Sequence, residues 1–192
     1  MYLFFDTETT GLIENINGIE IMPRMVQIAY ILSDENCKII EQNEFLIRPN
    51  NFEIPEKSIK IHGITNEKAL MDGVDIDIVL KKITEVFKKS KYVVAHNLYF
   101  DESVLKGEYD RLGLSSPFIN KTKICTANDL KSGGSFPFFC KNTSMRYSLG
   151  NLHLKLFGVK FENSHNAFSD TLALFNCFWF LKAKGHINIK NT

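Results

Sequence analysis

The feature that most constrains this chain is its first dozen residues, Met1 to Leu12, an apolar run that stops abruptly at two carboxylates, Asp6 and Glu8. A short apolar run closed by Thr9-Thr10-Gly11 reads as a buried central β-strand. Side chains alternate faces along a strand, so Asp6 and Glu8 point the same way and bring two negative charges to one spot. Either one carboxyl keeps a proton or a cation sits between them, and converging carboxylates are the material of Mg²⁺ and Mn²⁺ sites. The plainer alternative is that both acids end the strand and meet solvent. The choice turns on whether the rest of the chain supplies carboxylates in similar settings.

It supplies two. Tyr92-Val93-Val94-Ala95 is a second uniformly apolar run, and it leads into His96-Asn97-Leu98-Tyr99-Phe100-Asp101, which places Asp101 in the first turn of a helix reaching about Leu112. A strand feeding a helix at the carboxyl edge of a sheet is where α/β domains put their ligands. Acids in first turns also serve the helix dipole, so Asp101 taken alone has a structural reading as well. Ser164-His165-Asn166-Ala167-Phe168-Ser169-Asp170-Thr171 then opens a strongly apolar helix over Leu172 to Leu181. Asp170 stands on its first turn and His165 on the loop before it, an arrangement that suits a metal ligand and a general base.

At 192 residues, 44% of them hydrophobic and 23% charged, the chain makes a single domain over 1–192 with enough apolar material, including 16 Phe, for a dense core. A net charge of +1 excludes a strongly basic nucleic-acid coat and leaves function to local sites. Cys37, Cys125, Cys140 and Cys177 are widely separated, with no Cys-x-x-Cys pair, and no signal peptide or long apolar span is expected. A reduced, cytoplasmic protein without membrane association is expected, and structural zinc or a disulfide framework is not.

Between the motifs, residues 13 to 23 read as a polar loop closed by Pro23, and residues 24 to 32 and 38 to 48 as two antiparallel strands joined near Asp34-Glu35-Asn36. Pro49 to Thr65 reads as loop; His62, beside Gly63, is either a substrate contact or a loop histidine without a task. Asp75 is expected to cap a helix carrying Ile76, Val79, Leu80, Ile83, Val86 and Phe87 on its apolar stripe, with Lys81, Lys82, Lys88 and Lys89 on a solvated outer face. Residues 121 to 126 read as a strand, 127 to 131 as a weak helix, and Ser148 as the cap of a helix bearing Leu149, Leu152, Leu156 and Phe157. The Gly/Phe-rich stretch Ser132 to Phe139 either stacks bases or pins a loop to the core. Strands first and helices later point to an α/β or α+β mixed sheet.

Asp6-Thr7-Glu8-Thr9-Thr10-Gly11, then His96-Asn97 with Phe100-Asp101, then His165 five residues before Asp170, together resemble the DEDDh class of 3′-to-5′ exonucleases, the DnaQ-like family. Ile61-His62-Gly63-Ile64-Thr65 and Arg146-Tyr147-Ser148-Leu149 resemble further segments of that family. The sister class carries a tyrosine four residues before the last aspartate; Asn166 stands there, which places this chain with the histidine class.

The resemblance implies a ribonuclease H-like α/β fold, a mixed sheet of about five strands with one antiparallel member, flanked by helices. It implies that Asp6, Glu8, Asp101 and Asp170 hold two divalent ions, Mg²⁺ or Mn²⁺, about 4 Å apart, with His165 as general base. It further implies that Thr9, Leu12, His62, Asn97 and Phe100 contact the substrate, a nucleic acid with a free 3′ end, single-stranded DNA before RNA, releasing nucleoside 5′-monophosphates. A freestanding enzyme is expected, with polymerase association open. Complete acids and His165 disfavour a silent nucleic-acid-binding module, and the histidine motif disfavours an endonuclease.

Overall fold

The computed structural model describes residues 1–127 and 147–187. In chain order the elements are β1 (Tyr2–Thr9), β2 (Glu14–Ile16), β3 (Ile19–Ile21), β4 (Met25–Ser33), β5 (Ile39–Leu46), α1 (Glu56–His62), α2 (Asn66–Asp72), α3 (Ile76–Lys89), β6 (Tyr92–Ala95), α4 (Leu98–Arg111), β7 (Thr122–Cys125), α5 (Leu149–Phe157) and α6 (Ala167–Ala183). The main sheet runs β5-β4-β1-β6-β7. β4 is antiparallel to both of its neighbours, while β1, β6 and β7 run parallel, so the expected single antiparallel member is present.

The first half of β1, Tyr2 to Phe5, is apolar because both faces are covered. Leu3 and Phe5 enter a core shared with Val79, Phe87, Leu105 and Phe118, under α3 and α4. Tyr2 and Phe4 enter a second core with Leu152, Leu174 and Phe178, under α5 and α6. Phe4 and Phe5 are fully buried, and truncating either to alanine would cost about 3–5 kcal/mol. This two-sided burial fixes the height of β1 in the sandwich, and with it the point where its chain emerges carrying Asp6 and Glu8.

Three expectations need correction. Residues 13 to 23 contain the hairpin β2–β3, turned at Asn17-Gly18 with both residues at positive φ, 54° and 84°. Asn-Gly is the strongest two-residue hairpin signal, but strands of three residues are too short to show alternation. The stretch from Pro49 to Thr65 is not all loop: α1 starts after Pro55 and ends at Gly63 in the left-handed region (φ 73°), which makes His62 a helix-terminal residue. Proline before a helix and glycine after it are the usual boundary signals, here bracketing two turns only. Asp75 does occupy the cap position of α3, but its side chain makes no capping bond and pairs with Arg48 at 3.2 Å instead.

Helix α2 falls where the sequence predicts no element, and the remaining elements agree within a residue or two. α3 buries Val79, Leu80, Ile83, Val86 and Phe87, and Ser148 caps α5 by accepting from Asn151 N–H. The outer lysines of α3 are ion-paired, Lys81 with Asp77, Lys88 with Glu85, and Lys82 and Lys89 both with Glu41. Cys37, Cys125 and Cys177 are free thiols. The readings at 128–131 and 132–139, together with Cys140 and Arg146, lie outside the described residues. Among the described residues no helix is long and apolar enough to cross a membrane.

Candidate active site

The carboxyl ends of β1 and β6 lie side by side, and the first turns of α4 and α6 arrive at that edge. β1 delivers Asp6 and Glu8, α4 delivers Asp101 and α6 delivers Asp170. Glu8, Asp101 and Asp170 are buried, at 9%, 3% and 9% exposure. Each has a distinct tether. Asp101 Oδ1 accepts from the Thr7 backbone N–H at 3.0 Å and from Thr7 Oγ1 at 2.8 Å. Asp170 Oδ2 accepts from the His165 backbone N–H at 2.8 Å. Ligand atoms of Glu8, His165 and Asp170 lie within 4.8 Å of one another.

Burial and mutual repulsion raise the proton affinity of all four acids. Asp6 is pushed well above the usual carboxylate range by desolvation, then by the charges of Asp101, Asp170 and Glu8. Desolvation lifts Glu8 to about 8, with Asp170 and Asp101 adding to it. Asp101 rises to about 7 and Asp170 to about 6, both through desolvation first, partly offset by the Thr7 bonds and by His165 respectively. Four converging carboxyls that cannot all ionise, joined by an imidazole, form a hard-donor set that fits divalent cations.

His165 is exposed and adopts φ 68°, following Asn163 at φ 55°. Left-handed backbone at a histidine is uncommon and costs free energy. Here the Asp170 carboxylate holds the turn through the His165 N–H, and Asn166 N–H donates to the Asn163 carbonyl. His62 comes up from the other side: its Nδ1 accepts from Ile64 N–H at 3.0 Å, while its Nε2 is buried without a well-formed hydrogen bond. Burial lowers the His62 pKa; the nearby Thr9 carbonyl opposes that, and the His165 charge adds to it. Both imidazoles, with Lys60 and Asn163, line a cavity of about 510 Å³.

Of the remaining sequence-derived residues, Thr9 is buried and Leu12 is 79% exposed. Thr9 Oγ1 donates to the Gly11 carbonyl at 2.6 Å, folding the turn back on itself. Asn97 sits at the cap position of α4 in the left-handed region (φ 77°), and Phe100 packs against the core on the α3–α4 side. His96, although part of the same motif, ties the scaffold together. Its Nε2 meets the Tyr147 carbonyl at 2.8 Å, so Nε2 carries the proton and Nδ1 accepts from the Thr126 hydroxyl. Burial lowers its pKa to about 4.

Sequence reasoning passed over Thr7 and Gln27. Thr7 lies between two acids and faces away from both, which the strand period alone signals. Gln27 stands opposite Glu8 only by virtue of strand register, for which the sequence carries no marker.

The RNase T family model, described as an exonuclease, matches residues 3–178. The chain belongs to this exonuclease family. Among curated relatives, the PolC-type DNA polymerase III of Listeria innocua is 29% identical over 182 residues, covering 94% of this chain and 11% of the polymerase. That of Mycoplasmopsis pulmonis is 33% identical over 108 residues, 56% of this chain and 7% of its own. The exonuclease chain therefore spans roughly a tenth of the curated proteins it matches. Its fold superposes on E. coli exonuclease I in complex with single-stranded DNA, in a zinc-bound form, with TM-score 0.77, 20% identity, and coverage of 95% of this chain and 40% of the other. A second complex, with a dT13 oligonucleotide, gives TM-score 0.74 and 21% identity. The ribonuclease H-like architecture is thus shared.

Proposed function

We propose that residues 1–192 form one exonuclease domain that removes nucleotides from the 3′ end of single-stranded DNA, releasing nucleoside 5′-monophosphates. The carrying observation is the convergence of Asp6, Glu8, Asp101 and Asp170 beneath an exposed His165 whose ring reaches within 4.8 Å of the Glu8 and Asp170 carboxylates. In this reading the four carboxylates hold two divalent ions, Mg²⁺ or Mn²⁺. Ions bound there supply Lewis-acid activation of water and charge neutralisation at the phosphoryl group and the departing 3′ oxygen.

His165 is the proton acceptor. It is solvent-exposed on a loop, so it can take a proton from the attacking water and release it to solvent after each cycle. Asp170 keeps one oxygen on the His165 backbone, which fixes the loop while its other oxygen stays available. Thr9 and Leu12 border the terminal nucleotide, the exposed Leu12 packing against its base. His62 lines the pocket beside the same nucleotide with its ring, its buried Nε2 turned toward the Thr9 carbonyl, and Asn97 and Phe100 shape the far wall.

E. coli exonuclease I binds single-stranded oligonucleotides, which supports a single DNA strand as substrate. Free thiols and the lack of a membrane-spanning helix among the described residues fit the cytoplasm. The PolC-type relatives carry the matched region inside a polymerase; attachment to a polymerase is therefore the second reading, tested by adding polymerase and looking for excision restricted to mismatched ends.

The direct test uses a labelled single strand with a free or phosphorylated 3′ end, in DNA and RNA versions. A ladder shortening from the 3′ end, blocked by the 3′-phosphate and by EDTA, is expected. Added negative charge beside carboxylates should exclude the phosphorylated end. Internal cuts, or degradation sensitive only to 5′ blocking, would overturn the reading.

A further inference from the structure

We infer that Gln27 is a positioning residue for the acid cluster: it sets the depth at which the first turn of α6, with Asp170 on it, meets Glu8. The inference rests on reading that cluster as a hydrolytic metal site.

Gln27 pairs with Glu8 across the antiparallel β1–β4 ladder. Directly paired residues share a face, so both side chains leave the sheet toward α6. Gln27 is 7% exposed. Its Oε1 accepts from the Ala167 backbone N–H at 3.1 Å, and its Nε2 donates to Glu44 Oε2 on β5 at 3.1 Å.

Ala167 is the first residue of α6, and its N–H has no acceptor within the helix. The local cap, Asn166, accepts from Ser169 and leaves Ala167 free for a partner on the sheet. That partner is next to the very residue whose carboxylate must face Asp170. Ala167 lies two residues after His165 and three before Asp170, so one hydrogen bond anchors the segment that carries both. The ladder also shifts register between Glu8 and Thr9, which removes regular pairing as a source of order at that end of β1. A long, neutral amide acceptor suits this task. An apolar residue would leave the Ala167 N–H buried and unsatisfied, and a carboxylate would add a fifth negative charge on the Glu8 face.

The test compares wild type, Gln27→Met, which keeps the length and loses the acceptor, and Ala167→Pro, which removes the N–H donor at the first helical position, where proline is tolerated. Each is titrated with Mn²⁺ while thermal melting is followed, and kcat and KM are measured on a labelled single strand. Gln27→Met should need about tenfold more Mn²⁺ for half of the metal-induced rise in Tm. Its kcat should fall about 10- to 100-fold with KM nearly unchanged, the scale expected when reacting groups are misplaced by about 1 Å. Ala167→Pro should raise the Mn²⁺ requirement and lower kcat to a similar extent, because it breaks the same hydrogen bond from the other side.

A Gln27→Met protein that melts lower but keeps the wild-type Mn²⁺ requirement and kcat would make Gln27 an ordinary core residue and overturn the inference. So would an Ala167→Pro protein with the wild-type Mn²⁺ requirement and kcat. Should the wild type itself hydrolyse no strand, the functional reading fails, and the Mn²⁺ melting series still decides the role of Gln27.

Discussion

Helix α4 carries two buried acids two turns apart, and they live in opposite electrostatic worlds. Glu108 is 1% exposed and surrounded by donors: Arg24 Nε at 2.9 Å, Arg111 Nη1 at 3.1 Å and the Met25 N–H at 2.9 Å. Asp101, on the same helix, has among the described residues only neutral donors, those of Thr7 and its own backbone N–H, and it shares its surroundings with Asp6, Glu8 and Asp170. Among the described residues none of those four acids pairs with an arginine or lysine. A buried charge that the protein neutralises itself is a structural device, here tying α4 to the start of β4. Buried charges left without a protein cation mark a place where the cation comes from outside.

The comparison yields opposite signs on mutation. Asp170→Asn should lower kcat by about 10³-fold or more, because a lost ligand forfeits the several kcal/mol that a bound cation supplies to the transition state. In EDTA at pH 8 the same variant should melt above wild type, since one repelling charge is gone. Single-turnover assays and melting on one preparation check both halves. Retained activity, or a lower metal-free Tm, would break the contrast.

His165→Ala sharpens the picture from the side of chemistry. Loss of a general base costs about 10² to 10⁴-fold in turnover. The ring is exposed, so melting should hardly move, and substrate binding measured in Ca²⁺ should stay near wild type. A normal kcat would remove His165 from the mechanism.

Glu108→Ala should do the reverse of Asp170→Asn. It leaves two arginines without their carboxylate, a change that costs 3–5 kcal/mol when both partners are fully buried. Arg24 and Arg111 are 23% and 34% exposed and reach water, so a loss of about 3 kcal/mol by urea denaturation is expected, with kcat per folded molecule nearly unchanged.

The same contrast explains what was legible beforehand. The acids were visible because chemistry demanded polar residues at the ends of two runs that burial made uniformly apolar, Leu3 to Phe5 and Tyr92 to Ala95. His165 was visible through its spacing from Asp170. The partners that organise the cluster were hidden because they are defined by three-dimensional register: Thr7 meets Asp101 across 94 residues, and Gln27 meets Ala167 across 140. The hairpin at Asn17-Gly18 and helix α1 escaped for a different reason. Each is too short for periodicity to speak, and only their turn and boundary residues announced them.

The smallest effect is the most discriminating, because two classes of buried group pull stability in opposite directions as pH rises. His62 and His96 have folded pKa values below the ordinary value, His96 at about 4. A histidine kept neutral by burial makes the fold more stable as pH climbs toward about 6.5, and adds nothing further above that. The cluster acids have folded values above their ordinary ones, with Asp101 at about 7 and Glu8 at about 8. Their contribution is complete below about pH 4 and is lost as pH rises through those values, because the folded state must then hold the charges together. Above pH 6.5 only the acids are still titrating among these groups, so in EDTA the Tm should fall between pH 6.5 and 8.5. The fall should be about 2–4 °C for each kcal/mol lost in a domain of this size. Excess Mg²⁺ should flatten that slope, since a bound cation removes the reason to keep the protons, and Glu8→Gln should flatten it in EDTA without metal. Glu108→Gln, which leaves the cluster untouched, should keep the wild-type slope at a lower Tm. Equal slopes with and without Mg²⁺ would mean that the four carboxyls are already at ease in the folded protein, and the distinction between the two ends of α4 would collapse.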